Sequence, residues 1–148
     1  MICCKEKLKY VLHYVRETFK DYSVQYNIFG FFGLMSLIFR NVEESYSHLL
    51  YSYKHHVCFK KVEAYLRGRV IHKYHDVDKI VMYAFFPWLG VECINNIHTL
   101  WQDHHPCYKD LDDNKAYKPK DEVEWTEAVV DWECARFTKP DKPLNAYD

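Results

Sequence analysis

The chain has 148 residues, enough for one domain and too few for two independent cores. Hydrophobic residues make up 49% and charged residues 28%, a balance that excludes a disordered segment and supplies a real core. The 20 Lys and Arg nearly cancel the 21 Asp and Glu, so the excess basicity of a general nucleic-acid binder is missing and no stable nucleic-acid complex is expected. With 4 Gly and 5 Pro, turn signals are too sparse for a β-sandwich or barrel. The periodicity predicts a single all-α domain, a bundle of about six or seven helices.

Leu8, Val11, Leu12, Val15 and Phe19 recur at helical spacing, with Lys5, Lys7, Lys9, Arg16 and Lys20 elsewhere on the wheel, and predict a first amphipathic helix. The N-terminus shows no unbroken apolar core of a secretory signal. Cys3, Cys4, Cys58, Cys93, Cys107 and Cys134 contain no Cys-x-x-Cys spacing and read as scattered reduced thiols. Both features predict a cytoplasmic location. Ser23 or Asn27 can start a second helix through the apolar run 28–39. That run is 12 residues long against the roughly 20 of a bilayer span, so it is predicted to be buried, with no membrane partner.

Asn41 can cap a third, long helix over 42–66, in which Tyr46, Leu49, Leu50, Tyr53, Val57 and Ala64 lie near one face. Gly68 ends or bends it. Segments 69–74 and 77–86 are predicted to be helical, the second stopped by Pro87. Another helix is predicted over 90–104, because Pro106 disfavours helical geometry at the residue before it. Residues 106–120 carry Asp110, Asp112, Asp113 and Asn114 with little apolar content and read as a loop. The last helix, 121–137, opens with acidic residues that suit the positive end of a helix dipole, and 138–148 form an extended tail.

Nine histidines stand out by their arrangement. Apart from His13 and His48, they fall in three clusters: His55 and His56 on the long helix, His72 with His75 after it, and His98 with His104 and His105 later. Imidazole binds first-row metals and carboxylate completes the charge balance, so such an ion wants several His and one or two Asp converging from different helices. Asp76 follows His75, and Asp131 lies in the apolar stretch Val129, Val130, Asp131, Trp132. Adjacent residues on a regular helix point about 100° apart, which hinders joint ligation, but a helix junction at His75-Asp76 removes that obstacle. Lys79, at i+3 from Asp76, can balance the carboxylate or touch a substrate phosphate. His13, His48 and His72, and the pair Arg67 and Arg69, read as ordinary side chains, and the abundant aromatics as core packing.

In order and rough spacing, His56, then His75-Asp76-Val77-Asp78-Lys79, then His98, then His104-His105, then Asp131 resembles the signature of the HD-domain metal-dependent phosphohydrolases. The segments around His98 to His105 and Glu127 to Trp132 are also similar to an uncharacterised HD-like family of bacteria and their phages. The resemblance covers residues 45–137 and implies a helical bundle of the HD-domain type. It implies one or two divalent ions, of Mn, Fe, Co, Ni, Zn or Mg. His56, His75, Asp76 and Asp131 would hold the first, and His98 with His104, His105 or both would hold the second or orient a leaving group. Asp76 and Lys79 are the expected catalytic residues.

On the long helix, taking Tyr53 as the core direction puts His56 about 60° away and His55 about 160°, which selects His56. The activity implied is hydrolysis of a small phosphorylated substrate, a nucleotide or related phosphoester, in a protein free to form a homo-oligomer. Two alternatives stand beside it: an HD-fold di-iron oxygenase on the same ligands, and a non-catalytic, phage-type binding or inhibitor protein whose metal is structural.

Overall fold

No proline precedes residue 87, and Gly30 and Gly33 are the only glycines before Gly68, so nothing in the first 66 residues terminates a helix outright. The computed structural model, which describes residues 2–138, accordingly opens with one element, α1 (Cys4–Arg67). It is not straight. Gly30 adopts φ 67 and ψ −159, a conformation open essentially to glycine alone. Asn41 Nδ2 donates to Tyr22 Oη at 2.8 Å across 19 residues that a straight helix would hold about 28 Å apart. The helix therefore folds back at Gly30 into two arms, 4–29 and 31–67. The separate helix starts expected at Ser23, Asn27 and Asn41 do not exist, and Asn41 ties the two arms together instead.

The reversal also corrects the expectation for the apolar run. Ile28, Phe29, Phe31, Phe32 and Phe39 sit at and beside the tip of the hairpin and are exposed, Phe32 by 85%. The residues buried on the first arm are Tyr14, Thr18 and Tyr22, one turn apart, whereas Leu8, Leu12 and Phe19 face outward.

Gly68 ends α1 in the left-handed conformation at φ 72. Residues 69–74 are not helical: the Glu63 carboxylate, fully buried, accepts the backbone N–H of Ile71 at 2.9 Å and of His72 at 3.1 Å, and this draws the chain into a tight return. Next come α2 (Val77–Phe85), a 3-10 turn (Pro87–Leu89) and α3 (Gly90–Trp101), which stops short of the predicted 104. The expected loop holds a small antiparallel hairpin, β1 (Cys107–Lys109) with β2 (Lys115–Tyr117). Its turn is organised by Asp110, whose Oδ1 accepts the N–H groups of Asp112 and Asn114. Helix α4 (Glu122–Thr138) closes the described chain, so Thr138 is helical, and the tail expected over 139–148 lies outside the described residues. The described residues thus form an all-α fold with four α-helices, fewer than the six or seven predicted, because three merge into α1 and 69–74 form none.

Helix α1 touches α2, the 3-10 turn, α3 and α4. Its first arm packs Tyr14 against Tyr83, Leu89, Ile94 and Leu100, and its second arm packs Phe59 against Val130 and Cys134 of α4. Four hydroxyls reach backbone carbonyls across these seams: Tyr14 to Lys109, Thr18 to Leu89, Tyr22 to Trp88, and Ser45 to Pro87. The stretch between the two cores is where the histidines converge.

Gly30→Ala should lower stability by about 1–3 kcal/mol, the backbone cost of a non-glycine residue in this conformation. No atom lies within 4 Å of the added Cβ, so the loss is free of steric contributions. Urea unfolding monitored by circular dichroism would show a lower midpoint with an unchanged slope, and an unshifted midpoint would contradict the reversal.

Candidate metal centre

Asp76 organises the cluster through its backbone. It adopts φ 59 and ψ 10, left-handed for a residue with a Cβ, immediately before α2, and its carboxylate does not cap that helix. Freed from capping, the side chain turns inward beside His75, the joint orientation that a regular helix forbids. Asp76 Oδ1 lies 3.1 Å from His98 Nε2, and 3.6 Å from both His75 Nε2 and His104 Nε2. On the other flank, Asp131 Oδ1 lies 2.7 Å from His55 Nε2 and 3.2 Å from His75 Nε2, with 76 residues separating His55 from Asp131. His105 Nε2 stands 2.9 Å from His98 Nε2. Beyond Trp101 the chain leaves the helix at Gln102 (φ −83, ψ 123), and the unwinding brings both His104 and His105 against His98.

The opposite ring nitrogens follow one pattern. His55 Nδ1 reaches Thr138 Oγ1 at 3.1 Å, His75 Nδ1 reaches Glu127 Oε1 at 3.1 Å, and His98 Nδ1 reaches Asp78 Oδ2 at 2.9 Å. Thr138 Oγ1 donates to the Cys134 carbonyl and so can accept from His55. A neutral imidazole has one proton; spent at Nδ1, it leaves Nε2 as a lone pair. Each of these lone pairs faces a carboxylate oxygen, which is repulsive unless a proton or a metal cation lies between. Metal bonds of about 2.1 Å place neighbouring donor atoms about 3.0–3.5 Å apart, and the donors here, 2.7 to 3.6 Å apart, lie within a few tenths of an ångström of that range. Within the cluster, Asp76, His98, His104 and His105 form one group able to hold an ion, His55, His75 and Asp76 form a second that shares Asp76 with it, and His75, His104 and Glu127 form a third.

The titration behaviour is that of carboxylates and imidazoles compensating one another. Burial opposes ionisation of Asp76 and Asp131, but the groups around them outweigh it, His98 foremost with His75 and Lys79 for Asp76 and hydrogen bonds from His55 and His75 for Asp131; both carboxyls stay well below the usual range. Burial likewise opposes the charged form of His75, yet Asp131 and Glu127 raise it to about 9. His104 and His105 make no hydrogen bond to a carboxylate, and burial and the neighbouring histidines outweigh the charges of Asp131 and Asp76 to push each down to about 3.

Of the residues selected from sequence, His75, Asp76, His98, His104, His105 and Asp131 meet here, and Lys79 lies at the edge with Nζ 3.9 Å from Asp76 Oδ2. His56 does not join them. It is buried, and its Nδ1–H donates to the His75 carbonyl at 2.6 Å, while His55 takes the place expected of it. The reason is the reference direction: Tyr53 is 58% exposed, and the buried face runs through Ser45, Ser52, Phe59 and Glu63. Asp78, Glu127 and Thr138 escaped the sequence reading as imidazole partners. For Glu127 a signal existed, since it precedes Asp131 by four residues and so shares its helix face. His13 lies elsewhere, in a cavity of ≈ 360 Å³ between the arms of α1 and the start of α3 that shares no residue with the cluster.

Comparison with protein-family models, with curated proteins and with solved structures finds no match for this chain.

The depressed histidines set an acid response. His104 and His105 stay neutral in the fold down to about pH 3 but take up protons near 6.5 when unfolded, so the unfolded chain binds more protons across that window and stability falls as pH is lowered. His75 and His98, both held above 6.5, oppose this only near 6.5, where the unfolded chain is still partly deprotonated, and add almost no slope lower down. Metal-free protein should therefore unfold at lower denaturant concentration at about pH 5 than at about pH 6.5, before the carboxylates protonate. Replacing both histidines by Asn should flatten the difference, and an equal or higher midpoint at the lower pH would contradict it.

Proposed function

We propose that the chain is a divalent-metal-dependent phosphohydrolase of the HD type, acting on a small phosphoester of the nucleotide class. One observation carries the reading. Asp76 Oδ1 and His104 Nε2, both buried, face each other at 3.6 Å with no hydrogen-bond partner, inside a ring of further imidazole nitrogens. Buried polar atoms left unpaired are costly, and this donor set of imidazole and carboxylate without thiolate suits a first-row divalent ion. His55, His75, Asp76 and Asp131 would hold one ion, with His55 in the role first given to His56. Asp76, His98, His104 and His105 would hold a second. The order of these residues along the chain and the helix junction at His75-Asp76 support the HD reading.

Divalent ions bound there supply Lewis acidity toward a phosphoryl oxygen and lower the pKa of a bound water. The protein's own part is orientation and charge. Asp78 and Thr138 hold His98 and His55 with Nε2 turned inward. Phe59 lies flat on His75, ring centroids 3.7 Å apart at 12°, and fixes that ring's plane. Lys79 places an ammonium beside Asp76, where it can bind a phosphate oxygen.

Elemental analysis and a phosphoester panel with Mn, Fe, Co, Ni, Zn and Mg test the reading. His75→Ala or Asp76→Ala should abolish metal binding. Asp131→Asn should fold, bind metal weakly and lose phosphoesterase activity, while His13→Ala should keep its metal. Full occupancy and activity in Asp131→Asn would overturn the assignment, and bound iron without phosphoesterase activity would move it to an oxygen-activating centre.

A further inference from the structure

The inner edge of the cluster is formed by Asp76, and a second carboxylate closes it from outside. Glu127, on α4 one turn before Asp131, lies with Oε1 3.1 Å from His75 Nδ1 and 3.4 Å from His104 Nδ1. The opposite nitrogens of the same two rings are the ones that stand 3.6 Å from Asp76 Oδ1. Two imidazoles thus lie between two carboxylates, Asp76 on the Nε2 side and Glu127 on the Nδ1 side, where Glu127 takes a hydrogen bond from His75 and approaches His104 without one. His75 belongs to one of the two ion positions proposed above and His104 to the other, and the two also share a third donor group with Glu127 itself.

Glu127 is itself held. Its Oε2 lies 3.4 Å from His72 Nε2, and His72 Nδ1 lies 2.6 Å from Oε1 of the fully buried Glu63. A chain of alternating carboxylate and imidazole, Glu63, His72, Glu127, His75, therefore runs from the end of α1 to the cluster. Because Glu63 also accepts the backbone N–H of Ile71 and His72, the chain is anchored to the turn that delivers His75 and Asp76.

We propose that Glu127 is a positioning residue common to both ion positions, braced through His72 by Glu63, rather than a ligand of either. This rests on the metal centre proposed above. A carboxylate at Nδ1 fixes the tautomer and the plane of a ligating histidine, and losing such a partner typically weakens metal affinity by about 10- to 100-fold. Most outer partners serve one ion. The distinctive consequence here is that one substitution loosens both.

Titration of the full-length, metal-stripped protein with Co²⁺ alone, read by its absorption bands, tests this. Wild type should bind two ions, Asp131→Asn should weaken one step and leave the other, and Glu127→Gln should weaken both by about 10- to 100-fold. The glutamine keeps the shape of the side chain, so Glu127→Gln carries the test even where Glu127→Ala fails to fold. His72→Phe, which removes the brace, should weaken both steps in the same sense by less. Loss of one step only, or unchanged affinity with a lower melting temperature of the metal-free protein, would overturn the assignment and leave Glu127 a packing residue. Three ions in wild type and two in Glu127→Gln would overturn it in favour of a ligand role. A wild type that binds no Co²⁺ would instead sink the metal reading, and the positioning role with it.

Discussion

A buried carboxylate among imidazoles is the constraint to which the rest of the molecule answers. Asp76 is almost inaccessible, its backbone is held left-handed, and its Oδ1 is met by Nε2 atoms of three histidines. Desolvating a carboxylate costs several kcal/mol unless compensating charge is close and well placed. Here the compensation comes from elements far apart in the chain: the turn before α2, the end of α3 and the segment beyond it. Asp131 repeats the arrangement with His55 on the second arm of α1. Each element must stop or bend where it does for these rings to meet, and the positions of Gly68, Gln102 and the left-handed Asp76 follow from that requirement.

The packing around the cluster divides into two parts with different chemistry. On one side, Tyr83, Ile94 and Leu100 form an apolar core against the first arm of α1. On the other, the seam between α1 and α4 is built from Phe59, Val130 and Cys134, with Cys58 and Val62 packed against them, and is completed by polar contacts. Cys134 Sγ lies 3.6 Å from the His55 carbonyl, and Thr138 Oγ1 takes the His55 ring. The helix that delivers Asp131 and Glu127 is thus held both by apolar packing and by the groups it serves. The seam of the first arm with α2 and α3 is mainly apolar, whereas that of α4 mixes apolar burial with charge pairing.

Much of this was legible in the sequence, and the failures share a cause. The ordered set of histidines with Asp76 and Asp131 was visible because imidazole clusters are rare enough to carry meaning without a fold. Helix type was visible because the chain has so few glycines and prolines. The hairpin in α1 was not, because Gly30 and Gly33 in an apolar run read as tolerated glycines of a buried helix, and only a tertiary contact such as Asn41 to Tyr22 shows that the chain reverses. The choice of His56 over His55 failed because the long helix buries Ser45, Ser52 and Glu63 while exposing Tyr46, Leu50 and Tyr53. On such a face hydrophobicity points the wrong way. Residues 69–74 misled for a related reason: their conformation is dictated by the side chain of Glu63, eight residues earlier than Ile71.

The separation of His55 from Asp131 bears on how the chain is held together in time. None of the six cysteines is paired, so no covalent link restrains the unfolded chain. An ion held jointly by these two residues closes a loop of 76 residues, and in the chain-entropy description of cross-links a closure of that length restricts the unfolded ensemble by about 4.5 kcal/mol. An ion so placed would act as a clasp, adding to the packing of α4 a long-range restraint that no disulfide supplies.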